Sequence, residues 1–130
     1  MYRKLLAEKG SSVLDEVTAI MAELPLRNGV EAAVLSTEDG LSIQRISSQG
    51  TRLAAVAGFM KTAAQQAFTM MGLDKAEELI IRGGEQHVLI SSSFYASRSK
   101  LILTIVFDGA LFYEDIVAET VAAIQQAMEK

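Results

Sequence analysis

The stretch LAAVAGFMKTAAQQAFTMMG, from Leu53 to Gly72, constrains the fold most, because it predicts a long helix whose only formal charge is Lys61. At about 100° per residue, the apolar positions of this helix fall into two groups. The first group, which we expect to face a sheet, comprises Leu53, Val56, Ala57, Met60, Ala64, Ala67, Phe68 and Met71. The second group, about 100° further round the helix, comprises Ala55, Phe59, Ala63 and Met70.

The apolar circumference of this helix exceeds what one core can cover. The two groups together span about 220°, whereas packing against a single core needs a stripe of about 100°. An apolar flank left in water usually marks an interface. The simplest partner is the same helix of a second copy, because an isologous contact needs only one self-complementary patch. The alternative is that the first or last helix of the same chain covers this flank.

Composition and charge narrow the class of protein. The 130 residues suit one domain, which we assign to residues 1–130 with a short N-terminal extension at residues 1–11. The chain has no cysteine, which excludes disulfides and thiolate metal sites. Its net charge of −4, without a basic stripe, argues against nucleic-acid binding. Polar residues in the middle of the long helix argue against a membrane span, and we expect a cytoplasmic protein.

Hydrophobic spacing and turn residues predict the other elements. A first helix begins with Ser12 as its N-cap and stops at Pro25, and a last helix follows Asp108-Gly109. The predicted strands are VEAAVLS, LSIQRIS, EELIIRG, QHVLISS and LILTIVF, and FYASRSK is a predicted polar loop. Turn signals at Glu38–Gly40 and Gly83–Gly84 indicate antiparallel hairpins. Because LILTIVF is apolar on both faces, we expect it to be central in the sheet and covered on both sides.

The predicted elements form an α+β fold, a three-layer α/β/α sandwich around a five-stranded antiparallel sheet, in the order α-β-β-α-β-β-β-α. This order resembles the roadblock / dynein light chain family, in its bacterial small-GTPase-regulator branch, and so a roadblock/profilin-like fold. The resemblance covers the chain from about Ser12 to Met128. It rests on AAVLSTEDGLSI, the Ala-rich second helix, EELIIRGGEQHVLIS and LILTIVFDG, whereas GALFYED is more aromatic than the usual start of the last helix.

The resemblance also implies an assembly and a function. The long helix lies on one face of the sheet and the terminal helices lie on the other. A homodimer forms by packing of the long helices and edge-to-edge pairing of the third strands. The expected dimer interface comprises Ala55, Phe59, Ala63, Met70, Leu79, Ile80 and Ile81. The resemblance implies that this dimer is a non-enzymatic scaffold or regulator, and we expect it to bind a Ras-like small GTPase and modulate its nucleotide cycle.

We expect the GTPase to contact the polar strip of the long helix. This strip remains outward once both apolar groups are covered, and it is poor in charge. The expected contact residues are Arg52, Gly58, Lys61, Thr62, Gln65 and Thr69. The alternative is an ordinary solvated strip. We assign no arginine finger, because the resemblance implies that such regulators position the GTPase's own residues; the arginines weighed were Arg27, Arg45, Arg52, Arg82 and Arg98.

No residue pattern predicts a catalytic, cofactor-binding or metal site. His87 is the only histidine, and a single histidine without cysteine is more often structural than a metal ligand. The serines at 91–93 lack the glycine-framed turn of a nucleophile, and Gly83-Gly84 lacks the spacing of a phosphate loop. Two other functions remain open, a PAS- or GAF-like ligand sensor and a purely structural dimerisation domain. A single long helix between the second and third strands argues against the sensor.

Overall fold

The computed structural model describes residues 11–27, 29–39, 41–45, 50–84, 86–109 and 113–129. The elements are α1 (Ser11–Glu23), a short 3-10 helix (Leu24–Leu26), β1 (Val30–Thr37), β2 (Ser42–Arg45), α2 (Gly50–Met70), β3 (Glu78–Gly83), β4 (His87–Ala96), β5 (Ser99–Asp108) and α3 (Tyr113–Met128). The five strands form one antiparallel sheet in the order β2-β1-β5-β4-β3. The predicted fold and order of elements are confirmed. The predicted extension at residues 1–11 lies outside the described residues except for Ser11, where α1 begins.

Strand β5 occupies the centre of the sheet, as its apolar sequence predicts. Side chains on alternating positions point to opposite faces of a sheet. Leu103 and Ile105 pack in the main core with α1 and α3, which contact each other. Ile102 and Thr104 point the other way and are fully buried on the face that α2 covers. The sheet is therefore covered on both faces.

Helix α2 packs on the sheet through a different stripe from the predicted one. Its buried positions are small residues: Ala54, Ala57 and Gly58. Four residues of the predicted sheet stripe are exposed instead: Val56, Ala67, Phe68 and Met71. The buried stripe is rotated by about 80° from the prediction, at about 100° per residue.

Short side chains on the sheet explain this rotation. Ser36, Ser91 and Thr104 are buried on the face that α2 covers, and the Ser91 and Thr104 hydroxyl oxygens lie 3.0 Å apart in a hydrogen bond. Small residues on the sheet and on the helix let the two surfaces approach closely at the packing density of a protein interior. The larger apolar side chains of α2 therefore do not fit this face and point away from it.

The C-terminus of α2 has a regular helix stop. Gly72 has a φ of 71°, and its N–H donates to the Thr69 carbonyl at 3.1 Å. The N–H of Leu73 donates to the Phe68 carbonyl at 2.8 Å. These two bonds define a Schellman motif, in which the left-handed residue is normally glycine. The predicted end of the long helix at Gly72 is confirmed.

The hairpin between β4 and β5 corrects the sequence prediction of a loop at FYASRSK. Phe94 and Tyr95 belong to β4, and the turn consists of Ser97 and Arg98 alone. Both turn residues have positive φ values, of 51° and 73°. This backbone suits a two-residue hairpin, for which the usual sequence signal is Asn-Gly or Asp-Gly. The sequence prediction made β4 and β5 too short, because the turn sequence Ser97-Arg98 carries no such signal.

Candidate functional site

The outward face of α2 and the neighbouring strand β3 carry a concentration of exposed large apolar side chains, which we call the α2–β3 surface. Its members are Val56, Phe59, Met70, Met71, Leu73 and Ile81. Phe59 is 74% exposed and Met70 is 87% exposed. These two residues are eleven positions apart, which places them on the same side of a helix. Exposed apolar surfaces of this kind usually belong to interaction sites in soluble proteins.

The structure places the predicted dimer residues on this surface or next to it. Those on α2 are all exposed: Ala55, Phe59, Ala63 and Met70. On β3, Ile80 and Ile81 are exposed, whereas Leu79 is half-buried. Leu79 and Ala64 of α2 line the same small cavity, so the strand lies directly beside the helix. The dimer interface itself stays a prediction.

Strand β3 is an edge of the sheet. It pairs with β4 from Glu78 opposite Ser92 to Gly83 opposite His87. On its other side it pairs with no strand in the described part of the chain. An unpaired edge offers backbone N–H and C=O groups to another strand unless charge, proline or a covering element blocks it. The central residues of β3, Leu79 to Ile81, are uncharged and contain no proline.

The polar strip of α2 differs from its prediction, because part of it faces the protein. Gly58 is buried, and Lys61 and Gln65 are half-buried. Lys61 Nζ donates to the Ala76 carbonyl at 2.6 Å, and the Ala76 N–H donates to Gln65 Oε1 at 2.9 Å. These two side chains therefore attach the segment before β3 to the helix.

Three predicted GTPase-contact residues remain exposed, namely Arg52, Thr62 and Thr69. The Thr62 hydroxyl donates to the Gly58 carbonyl at 3.1 Å, one helical turn earlier. Gln65 Nε2 donates to Thr69 Oγ1 at 3.3 Å. The accessible part of the strip is thus narrower than the sequence predicts, and it consists mainly of hydroxyl groups.

An open cleft of about 640 Å³ lies along the strip. Its lining comprises Glu38, Lys61, Thr62, Gln65, Gln66, Thr69, Met70, Lys75 and Lys100. Lys100 Nζ lies 3.7 Å from Glu38 Oε1 and 5.6 Å from the centre of the Tyr95 ring. Burial lowers the pKa of Lys61, and the nearby Lys100 ammonium lowers it further. Three lysines and one glutamate make this cleft basic on a protein with a net charge of −4.

Comparison with solved structures identifies the fold. MglB of Myxococcus xanthus aligns with a TM-score of 0.72 and 13% sequence identity, over 88% of this chain and 89% of that one. The gliding protein MglB of Thermus thermophilus gives 0.73 and 16%, over 91% and 92%. A Roadblock/LC7 domain of Streptomyces avermitilis gives 0.69 and 17%, over 84% and 92%. The fold is that of the roadblock/LC7 domains.

Other comparisons complete this result. A structure described as MglB with a tetrameric arrangement also has the roadblock fold, with a TM-score of 0.73 and 16% identity over 91% of both chains. No protein-family model matches the sequence, and a sequence search of curated proteins finds no match. In the ranges that the structure describes, none of the helices combines the length and apolar character that crossing a bilayer requires.

The arginines of this roadblock fold are held in several ways. Arg27 forms an ion pair with Glu119 at 3.0 Å. The Arg82 guanidinium donates to the Tyr113 hydroxyl and lies 5.7 Å from the centre of that ring. The side chain of Arg45 lies outside the described part of the structure, and Arg98 is exposed in the β4–β5 turn. Arg52 is the exposed arginine of α2.

The residues weighed for catalysis fall into two classes. Ser91 is buried within β4 and hydrogen-bonds Thr104, which is a structural role. His87 is exposed, and its Nε2 lies 3.3 Å from Glu31 Oε2 and 3.8 Å from Asp108 Oδ2. The sequence interpretation of His87 missed this cluster, because the three residues are distant along the chain. Only the pairing of β1, β4 and β5 brings them together.

Proposed function

We propose that this chain forms a homodimer through the α2–β3 surface and that the dimer binds and regulates a Ras-like small GTPase. The observation that carries this proposal is the exposure of Phe59 and Met70 beside the unpaired edge of β3, in a chain with the roadblock fold. The MglB structure with a tetrameric arrangement supports self-association of this fold. The sequence resemblance to the small-GTPase-regulator branch supports the GTPase as partner.

Burial of Phe59 and Met70 alone holds a micromolar dimer only at the most favourable ends of the ranges that apply. Moving Phe59 and Met70 of both copies out of water stabilises the dimer by about 1.5–3 kcal/mol for each side chain, or roughly 6–12 kcal/mol in total. Association itself costs about 4–15 kcal/mol, and a micromolar dimer needs a net gain of about 8 kcal/mol. Over the rest of these ranges the dimer requires a further contribution, which we assign to pairing of the two β3 edges.

A charge on the helix face tests the dimer. Replacing Phe59 with Glu buries two unpaired carboxylates in a symmetric interface, at about 3–5 kcal/mol for each unpaired charge. We expect the dimer dissociation constant to rise by at least about a hundredfold. Leu26→Glu is the matched control, because Leu26 is 83% exposed but lies next to α1. Sedimentation equilibrium of both variants decides the point, and a monomeric wild-type chain at micromolar concentration would refute it.

Hydrogen exchange tests the role of β3 separately. In an antiparallel ladder, alternate N–H groups point to opposite sides of a strand. The N–H groups of β3 that do not face β4 should exchange rapidly in dilute monomer and slowly in concentrated dimer. Equal exchange of these groups at both concentrations, with a dimer present, would place the interface on α2 alone.

We assign the GTPase contact to Arg52, Thr62 and Thr69 together with the basic cleft beside them. The cleft offers lysine and hydroxyl donors, and Met70 lies at the border between the cleft and the α2–β3 surface. A GTPase bound here should prefer one nucleotide state, because its switch regions are what differ between the two states. Each dimer carries two copies of this surface by symmetry.

Thr62→Glu tests this contact without disturbing the attachment of Ala76, because the Thr62 hydroxyl bonds only within α2, to the Gly58 carbonyl. A carboxylate in the cleft should weaken binding of a Ras-like GTPase, measured by biolayer interferometry with the GTPase in each nucleotide state. Thr18→Glu is the matched control, since Thr18 is an exposed helical threonine on α1 and the charge change is identical. Equal affinity of the two variants for the GTPase would show that the GTPase binds at another surface. A stable dimer that binds no GTPase in either nucleotide state would favour a purely structural dimerisation domain.

A further inference from the structure

The ends of three adjacent strands bring a histidine and two carboxylates together on the protein surface. The ligating atoms of Glu31, His87 and Asp108 all lie within 4.8 Å of one another. All three side chains are about half exposed, so a small ion reaches them directly from solvent. This cluster is independent of the α2–β3 surface and of the basic cleft, because none of its residues lines either feature.

Strand pairing explains how the cluster forms. His87 and Asp108 are directly opposite each other in the β4–β5 ladder. In the β1–β5 ladder, Val30 pairs with Phe107 whereas Ala32 pairs with Val106, so Glu31 is an extra residue in β1. Such a bulge redirects a side chain relative to the regular alternation of a strand. The third ligand, Glu31, thereby reaches His87 across the sheet.

Two of the three distances between ligand atoms are close to those of a tetrahedral transition-metal site, and the third is within 4.8 Å. Tetrahedral Zn²⁺ with bonds of about 2.0–2.1 Å holds its ligand atoms about 3.3–3.4 Å apart. The distance from His87 Nε2 to Glu31 Oε2 is 3.3 Å, and that to Asp108 Oδ2 is 3.8 Å. A small rotation of the exposed Asp108 side chain closes the longer distance.

We propose that Glu31, His87 and Asp108 form a three-ligand site for Zn²⁺ or a similar divalent transition metal. One imidazole and two carboxylates suit such ions, whereas Mg²⁺ and Ca²⁺ prefer shells made of oxygen ligands alone. Three protein ligands leave a fourth position for water or for a side chain from another molecule. The bound ion would also join the ends of β1, β4 and β5.

Calorimetric titration of the full chain with ZnCl₂, without a histidine tag, tests the site. His87 is the only histidine and there is no cysteine, so no other imidazole or thiolate competes for zinc. We expect one Zn²⁺ per chain and a shift of the single set of imidazole resonances in the NMR spectrum. Loss of an outer-shell partner weakens metal binding about 10–100-fold, so loss of a ligand in His87→Gln or Asp108→Asn should weaken it at least about tenfold.

Asp74→Asn provides the matched control, because Asp74 is an exposed aspartate outside the cluster. Its zinc affinity should equal that of the wild-type chain. Circular dichroism of each variant checks that the fold is retained, which is expected because all the changed side chains are on the surface. Unchanged zinc affinity in His87→Gln would overturn the site, as would Mg²⁺ binding equal to Zn²⁺ binding. A cluster that forms only ion pairs would bind no zinc at all, and this result would also overturn it.

Discussion

The attachment of Ala76 to α2 gives a prediction whose magnitude follows from the structure. Ala76 is buried, and both polar groups of its backbone are satisfied by side chains of α2. Replacing Gln65 with Ala removes the acceptor that the Ala76 N–H uses at 2.9 Å. The N–H is then left unpaired, in a place that water reaches poorly.

We expect Gln65→Ala to lower the free energy of unfolding by about 1–3 kcal/mol, the usual penalty for a buried polar group without a partner. For a chain of this size, that change lowers the melting temperature by roughly 3–12 °C. The neighbouring residue supplies a close control. Gln66 is exposed and its side chain forms no hydrogen bond with any residue of the described ranges, so Gln66→Ala should change stability by no more than about 0.5 kcal/mol.

Urea denaturation and native-state hydrogen exchange measure the two effects. All proteins are compared at one chain concentration, because self-association adds to apparent stability. The helix propensity gained by replacing Gln with Ala is the same in both variants and cancels in the comparison. The Ala76 amide should exchange faster in Gln65→Ala and at the wild-type rate in Gln66→Ala. Equal stability of the two variants would show that water replaces the glutamine, and the reasoning would then be wrong.

Other predictions concern single side chains. Because burial, and then the Lys100 charge, lower the pKa of Lys61 in the folded chain, the unfolded chain binds more protons at alkaline pH. The stability of the wild-type chain relative to Lys61→Met should therefore rise as the pH increases through the folded pKa toward 10.5, as measured by urea denaturation. The Thr37 hydroxyl donates to Asp39 and lowers the pKa of this exposed carboxyl. The stability that ionised Asp39 contributes to the fold is therefore lost as the pH falls through the pKa that Asp39 has in the folded chain. Thr37→Val should raise that pKa toward 3.8 in an NMR titration. The Ser36 hydroxyl is buried without a partner among the described residues, so Ser36→Ala should leave the melting temperature unchanged or raise it.

The fold was predictable because its strongest signals are local. The two-sided apolar sequence of β5 requires a covered central strand, and the structure has one. In α3, Ile116, Val117, Ile124 and Met128 follow helical spacing, and all four are buried. In both cases one element carries enough apolar residues in one period to determine its orientation. The resemblance then supplied the order of layers that local patterns leave open.

The orientation of α2 was not predictable in the same way. Its alanines and glycine are compatible with several stripes, and the choice depends on which sheet residues lie opposite. Ser36, Ser91 and Thr104 select the small residues of the helix, but these residues come from three different strands. The exposure of Phe59 and Met70 could be anticipated from the excess of apolar positions.

Side-chain partners from distant parts of the chain were the least accessible to sequence reasoning. Lys61 and Gln65 bind the backbone of Ala76, which no pattern of side chains can reveal. Similarly, the proximity of Glu31 to His87 depends on a bulge in β1. The local sequence around Glu31 has no signal for that bulge. These contacts become visible only when strand register is known.

The attachment at Ala76 also bears on the kinetics of assembly. The short segment between α2 and β3 is fixed to the helix at both polar groups of one residue, so the exposed side chains of α2 and the edge of β3 hold a constant relative position. A surface that is already arranged for its partner loses little freedom on association. Formation of the proposed dimer should then proceed in one concentration-dependent step at an ordinary rate of about 10⁵–10⁷ M⁻¹s⁻¹, with no slow rearrangement before or after it. Substitutions on this surface should accordingly change the lifetime of the dimer much more than its rate of formation.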